Sequence, residues 1–118
     1  MAYASPAEVN ARLKNIRLKI GKNECTLWPR KKNKDSLALA GLSIDDAFDI
    51  VKSLTVRNYC KGPEDDIDKP GTGEMWFFGH SERGYDFYIK IKICFDANSN
   101  VIIISFHFPE FPLIYPYK

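Results

Sequence analysis

The chain of 118 residues is poor in cysteine. Its three, Cys25, Cys60 and Cys94, are an odd number without CxxC spacing. That argues against a disulfide framework and against a zinc site. Long apolar runs are missing: nothing approaches the ~18 residues a membrane span needs, and the N-terminus shows no apolar signal core. A cytoplasmic protein with no membrane partner is expected. There is no Gly-rich phosphate loop and no nucleophile elbow. The acidic run Glu64-Asp65-Asp66-Ile67-Asp68 lacks the glycine and distal glutamate of a calcium loop. It reads as a solvated loop or as a clamp for basic residues, and neither a metal nor a cofactor is expected. Internal repeats and low-complexity segments are absent too.

Charge of one sign is scarce overall, at a net +2, but it is unevenly placed. Residues 1–34 hold nine Lys or Arg against only Glu8 and Glu24, so the rest of the chain is net acidic. A basic arm suits a polyanion or an acidic partner; a solvated helix face is the plainer reading.

What is present is led by residues 85–107. From Asp86 to Ile93 the chain alternates strictly, with Phe87, Ile89, Ile91 and Ile93 on one strand face and Asp86, Tyr88, Lys90 and Lys92 on the other. Turn formers at Asp96-Ala97-Asn98-Ser99-Asn100 fold the next run, Val101 to His107, back antiparallel. Alternation there groups Ile102, Ile104 and Phe106 against Val101, Ile103, Ser105 and His107. With the greasy faces aligned, Tyr88, Lys90, Lys92, Ser105 and His107 converge on the opposite side.

Upstream, Ser5-Pro6-Ala7-Glu8 is a capping box with proline at the first helical position. Val9, Leu13, Ile16 and Ile20 follow at helical spacing, and Gly21 is a natural stop. Residues 24–29 look like a short edge strand ended by Pro29. Arg30-Lys31-Lys32-Asn33-Lys34 reads as a basic turn, and a short helix over 35–40 stops at Gly41. A second capping box, Ser43 to Asp46, opens a helix whose stripe is Ala47, Phe48, Val51 and Leu54. Residues 55–73 read as a long loop of the kind that is often functional. A strand follows at 74–79 and a turn at 80–84, with His80 exposed in it. The proline-spaced aromatic tail after His107 lies extended over the body. This order gives one α+β domain over 1–118, with a helical extension at 1–24 and a tail at 109–118. Its N-terminal helices pack on one face of a small antiparallel sheet.

Several stretches resemble the MqsR family of type II toxins, within the broader RelE/ParE-like group. They are the helix ending at Leu54-Thr55, then Tyr59-Cys60-Lys61-Gly62, the Trp76 strand, Phe87-Tyr88-Ile89-Lys90-Ile91, and Ile104-Ser105-Phe106-His107. The likeness covers about residues 33–108. It implies a metal-independent endoribonuclease that cleaves messenger RNA and is held inactive by a cognate antitoxin. Carried over by position, the family's lysine after the helix falls on Lys61 and its strand tyrosine on Tyr88. The basic residue closing the last strand falls on His107, where the best-known member has lysine. Phe77 stands where that member has glutamine.

The residues argue the same chemistry independently. Metal-free RNA cleavage needs a base for the 2′-hydroxyl, cations for the charge at phosphorus and an acid for the leaving 5′-oxygen. Histidine is the residue type suited to act as base or acid near neutrality, which makes His107 the candidate; the other reading is a strand-end histidine bonded to the tail. Lys61 and Lys90 suit phosphate, or are ordinary solvent-facing lysines. Tyr88 can donate a proton or stack a base, or is a packing residue with a wet tip. Lys92, Arg83, Arg30 and Lys31 are candidates for RNA backbone contacts. Two alternatives stand beside the enzyme: a non-catalytic or gyrase-directed ParE-like module of the same fold, and a small module that holds nucleic acid with its basic helix.

Overall fold

The computed structural model describes residues 3–118; the first two residues of the N-terminal extension lie outside the described residues. Helix α1 (Pro6–Gly21) opens on the capping box, with Ser5 Oγ accepting from the Glu8 amide and Glu8 Oε1 accepting from the Ser5 amide. Its buried residues Val9, Leu13 and Ile16 recur at helical spacing, so one stripe faces the core. Strand β1 (Cys25–Leu27) follows, then α2 (Lys31–Ala40) and α3 (Ile44–Ser53). The second capping box sets the start of α3: Ser43 Oγ accepts from the Asp46 amide and Asp46 Oδ2 from the Ser43 amide. A 3-10 turn (Val56–Asn58) leads into β2 (Tyr59–Glu64), β3 (Gly73–Glu82), β4 (Tyr85–Cys94) and β5 (Val101–His107).

The strands form one sheet in the order β1-β5-β4-β3-β2. All pairings are antiparallel except β1 on β5, so the sheet is mixed rather than purely antiparallel. The α+β architecture with helices against one sheet face is as the sequence predicts. That face carries Trp76, Phe78, Phe87, Ile89, Ile91, Ile103 and Phe106, fully buried with Val9, Leu13 and Ile16 of α1 and Ala47 and Val51 of α3. Each large apolar side chain so buried contributes about 1.5–3 kcal/mol.

Three expectations are corrected. Residues 59–64 are not loop but an edge strand; its Lys-Gly-Pro sequence reads as a breaker, yet an edge tolerates proline. Pairing with β3 is irregular there, with register shifts on both sides of Lys61. The basic turn is instead the first turn of α2, which begins at Lys31 with no side-chain cap. Finally, the β3–β4 turn is only Arg83 and Gly84, both at positive φ (54° and 81°), the conformation a two-residue hairpin loop requires. His80 therefore lies within β3, half-buried, with Nε2 3.0 Å from Glu82 Oε1.

The tail crosses the face that the helices leave open. Gly79 makes room for it: a Cβ there would collide with the Tyr115 hydroxyl and sit 2.7 Å from Leu113 Cδ1. Beyond, Tyr117 stacks on Tyr59 at 5.8 Å and donates to the Ala4 carbonyl, 2.6 Å. Tyr59 Oη accepts from the Ala4 amide at 3.0 Å, so both ends of the chain meet at one phenol.

Candidate functional site

The site is built on the open sheet face by a slip in register. Tyr88 pairs with His107 and Lys90 with Ser105, but the next pair is Ile91 with Ile103. Ile104 is an extra residue on β5, a bulge. Strict alternation would have set Ser105 and His107 beside Val101 and Ile103. The bulge instead sends Val101, Ile103 and Phe106 into the core and turns Ser105 and His107 to the face of Tyr88 and Lys90.

Helix α2 holds this bulge where β1 has ended. Asn33, wholly buried, donates Nδ2 to the carbonyls of Ile104 (3.1 Å) and Trp28 (3.0 Å) and accepts from the Phe106 amide (2.9 Å). One side-chain amide thus serves the edge of β5 as a neighbouring strand would. Ser36 Oγ accepts from the Phe108 amide at 3.1 Å, and Arg30 Nη1 donates to Ser105 Oγ at 3.0 Å.

Lys61, Tyr88, Lys90 and His107 are brought together with Phe77. Lys61 Nζ lies 4.5 Å from the Phe77 ring centre and Lys90 Nζ 5.7 Å from it, on neighbouring strands. Phe77 is also 6.2 Å from the Tyr88 ring, which in turn is 5.4 Å from the His107 ring. Lys61 shares its charge with Glu64 at 3.1 Å, whereas Lys90 has no carboxylate partner among the described residues. Burial pushes the Tyr88 phenol above its ordinary range, with the nearby Glu64 carboxylate adding to the shift, so it stays a protonated donor at neutral pH.

The patch is less open than the sequence suggests. His107 is 6 % exposed. Its Nδ1 lies 2.9 Å from the Phe108 carbonyl, an acceptor only. The proton therefore sits on Nδ1, leaving Nε2 as the basic nitrogen of the neutral ring.

The four residues assigned to backbone contacts divide. Arg30 reaches the site through Ser105. Lys31 is exposed on α2 beside Asp35 at 2.6 Å. Arg83 is elsewhere, donating to the Gly41 carbonyl at the end of α2 (2.9 Å). Lys92 is corrected outright: it is 6 % exposed, with Nζ donating to Asp66 Oδ2 and Thr72 Oγ1, both at 2.7 Å. One residue of the acidic run, Asp66, is thus a clamp on a buried cation, and no groups of His, Cys, Asp or Glu that could hold a metal occur among the described residues. No described helix is long and apolar enough to cross a membrane.

Sequence reasoning missed Asn33, concealed among like charges, and Phe111, an exposed ring 5.7 Å from Tyr88. The spacing of prolines around Phe111 signals an extended tail but not where that tail lies. Comparison with family models, curated proteins and solved structures finds no match to this chain.

Proposed function

We propose that the chain is the toxin of a type II toxin–antitoxin pair, an endoribonuclease that cuts messenger RNA by attack of a ribose 2′-hydroxyl on the adjoining phosphodiester. The observation that carries this reading is the cluster on one sheet face of two ammonium groups around Phe77 and a phenol packed on an imidazole. His107 Nε2 takes the 2′-hydroxyl proton as the oxygen bonds to phosphorus. Lys90 and Lys61 offset the charge on the phosphoryl oxygens. Tyr88, kept protonated by burial, gives its proton to the departing 5′-oxygen. The products are a 2′,3′-cyclic phosphate and a free 5′-hydroxyl. The MqsR resemblance supports the same assignment and adds a cognate antitoxin as partner.

The test is direct. Purified protein should cut single-stranded RNA in the presence of a chelator. Lys90→Ala and His107→Ala should lose most of that activity while keeping the circular dichroism of the parent. Intact RNA across a range of conditions and sequences would end the enzyme reading.

The burial of His107 favours one alternative, a module of this fold that binds RNA or a protein without turnover. In that case RNA binding would depend on Lys90 and on salt, and would not change in His107→Ala.

A further inference from the structure

Beside the proposed chemical centre, between the tail and the sheet, runs a groove of about 290 Å³ whose lining includes Cys60, Lys61, Phe77, Tyr88 and Phe111. Its volume matches the small end of ligand sites, about 300 Å³. Its floor is uncharged: burial pushes the Cys60 thiol up to about 11, so no thiolate forms there at neutral pH. One wall is an aromatic ring without a full partner. Phe111 is 55 % exposed, and Tyr88 supports it edge-on at 5.7 Å. The charged side chain lining the groove is a cation, Lys61, paired with Glu64 at 3.1 Å, and Lys90, which meets no carboxylate among the described residues, stands on the far side of Phe77.

We propose that this groove is a base-binding subsite, in which one unstacked nucleobase of single-stranded RNA lies against the Phe111 ring while Lys61 meets the adjoining phosphate. The inference rests on the ribonuclease reading for its substrate class and adds to it the residue that selects single strands. The physical basis is that every base offers a π-face, so an exposed aromatic beside a cation holds bases with little sequence preference. A paired base has both faces stacked and cannot enter. An apolar peptide would use the same walls but would have no need of two ammonium groups around Phe77, of which Glu64 offsets only one, so charge complementarity favours the polyanion.

The experiment uses the full chain and a hexaribonucleotide made wholly of 2′-O-methyl nucleotides, which cannot be cleaved by 2′-hydroxyl attack. Binding is followed by fluorescence anisotropy. Phe111→Ala should weaken binding by about tenfold, the range for losing one stacked base. Phe111→Trp should restore it, whereas Phe111→Leu, apolar but without a π-face, should not. Removing the base at every position of the oligomer should abolish the difference between the parent and Phe111→Ala. Equal binding by Phe111→Leu and the parent would overturn the proposal. So would equal affinity for the oligomer lacking the base at every internal position. Cleavage of ordinary RNA without any dependence on Phe111 sinks this proposal alone; aromatic-dependent binding without cleavage sinks the catalytic reading alone.

Discussion

Replacing Asn33 by alanine should test the local structure on which the site depends. The substitution removes three hydrogen bonds of 2.9–3.1 Å at a position with no exposure. They do not cost equally. The Trp28 carbonyl keeps a second donor, the Arg30 amide at 2.9 Å, and loses little. The Phe106 amide and the Ile104 carbonyl are left in the interior, and each buried group without a partner costs about 1–3 kcal/mol. Alanine returns roughly 0.5 kcal/mol of helix propensity. The net loss should be about 1.5–5.5 kcal/mol, and at a mid-range urea m-value of about 2 kcal/mol per molar the midpoint should fall by roughly 1–3 M. Asn33→Asp sharpens the test. A carboxylate still accepts from Phe106, but it turns its second oxygen on two carbonyls and donates nothing, so it should be the worse variant. Native-state hydrogen exchange should show the Phe106 amide losing protection in Asn33→Ala ahead of the β3–β4 ladder. A midpoint within about 0.3 M of the parent for alanine, or a fully stable aspartate variant, would refute the account of the bulge.

Other outcomes follow from the same contacts. Asp66→Asn should lower the urea midpoint, because it leaves the buried Lys92 ammonium without a counter-charge; Asp66→Asn combined with Lys92→Met should recover much of the loss. The hydrogen bond from Lys92 holds the Asp66 carboxyl below the ordinary carboxylate range. Its contribution is therefore complete above that range and is lost as pH falls through the lowered folded value, so a urea midpoint measured down from neutral pH should drop in the parent more than in the double variant. Gly79→Ala should cost about 1–3 kcal/mol by overpacking against Tyr115 and Leu113, and limited proteolysis should show residues 109–118 released while the sheet persists. Lys90→Ala should weaken RNA binding similarly for all sequences and reduce the salt slope by about 1, the mark of one lost phosphate contact.

Much of this fold can be read without coordinates where one residue decides one thing. Ser5 and Ser43 with their partners three residues on set two helix starts, and the alternation of Phe87, Ile89, Ile91 and Ile93 sets the buried face of β4. The phase of β5 is a different matter. Val101, Ile102, Ile103 and Ile104 are four apolar residues in a row, so period-two alternation carries no information about which of them faces in. An extra residue can hide in such a run. Lys90 and Lys92 look equivalent in sequence, two residues apart on one strand face. Only the approach of Asp66, 26 residues earlier, makes Lys92 a buried structural charge, while Lys90 meets no carboxylate among the described residues. Such partnerships depend on how a loop returns, which local pattern does not encode. Likewise Gly62 and Pro63 disguise an edge strand as a loop.

The position of His107 shows why these unreadable features matter to function. A helix pairs with a strand only through side chains, and α2 with its N-cap residue Arg30 makes four such contacts to β5 and the chain just beyond it: Arg30 to Ser105, Asn33 to the bulge, Ser36 to Phe108 and Lys32 to Glu110 at 2.8 Å. Each falls on residues 104–110, the stretch that holds the bulge, the imidazole and the start of the tail. Two cations of the basic run, Arg30 and Lys32, thus have partners within the chain at its surface, before any polyanion is considered. Were the bulge absent, the parity of β5 would reverse, and Ser105 and His107 would face the helices while Phe106 faced solvent. The burial of Phe106 against Phe87, at 4.9 Å, opposes that slip, and Asn33 satisfies the backbone groups the bulge displaces. Apolar packing on one face and a single amide on the strand edge therefore fix which side of the sheet receives the imidazole.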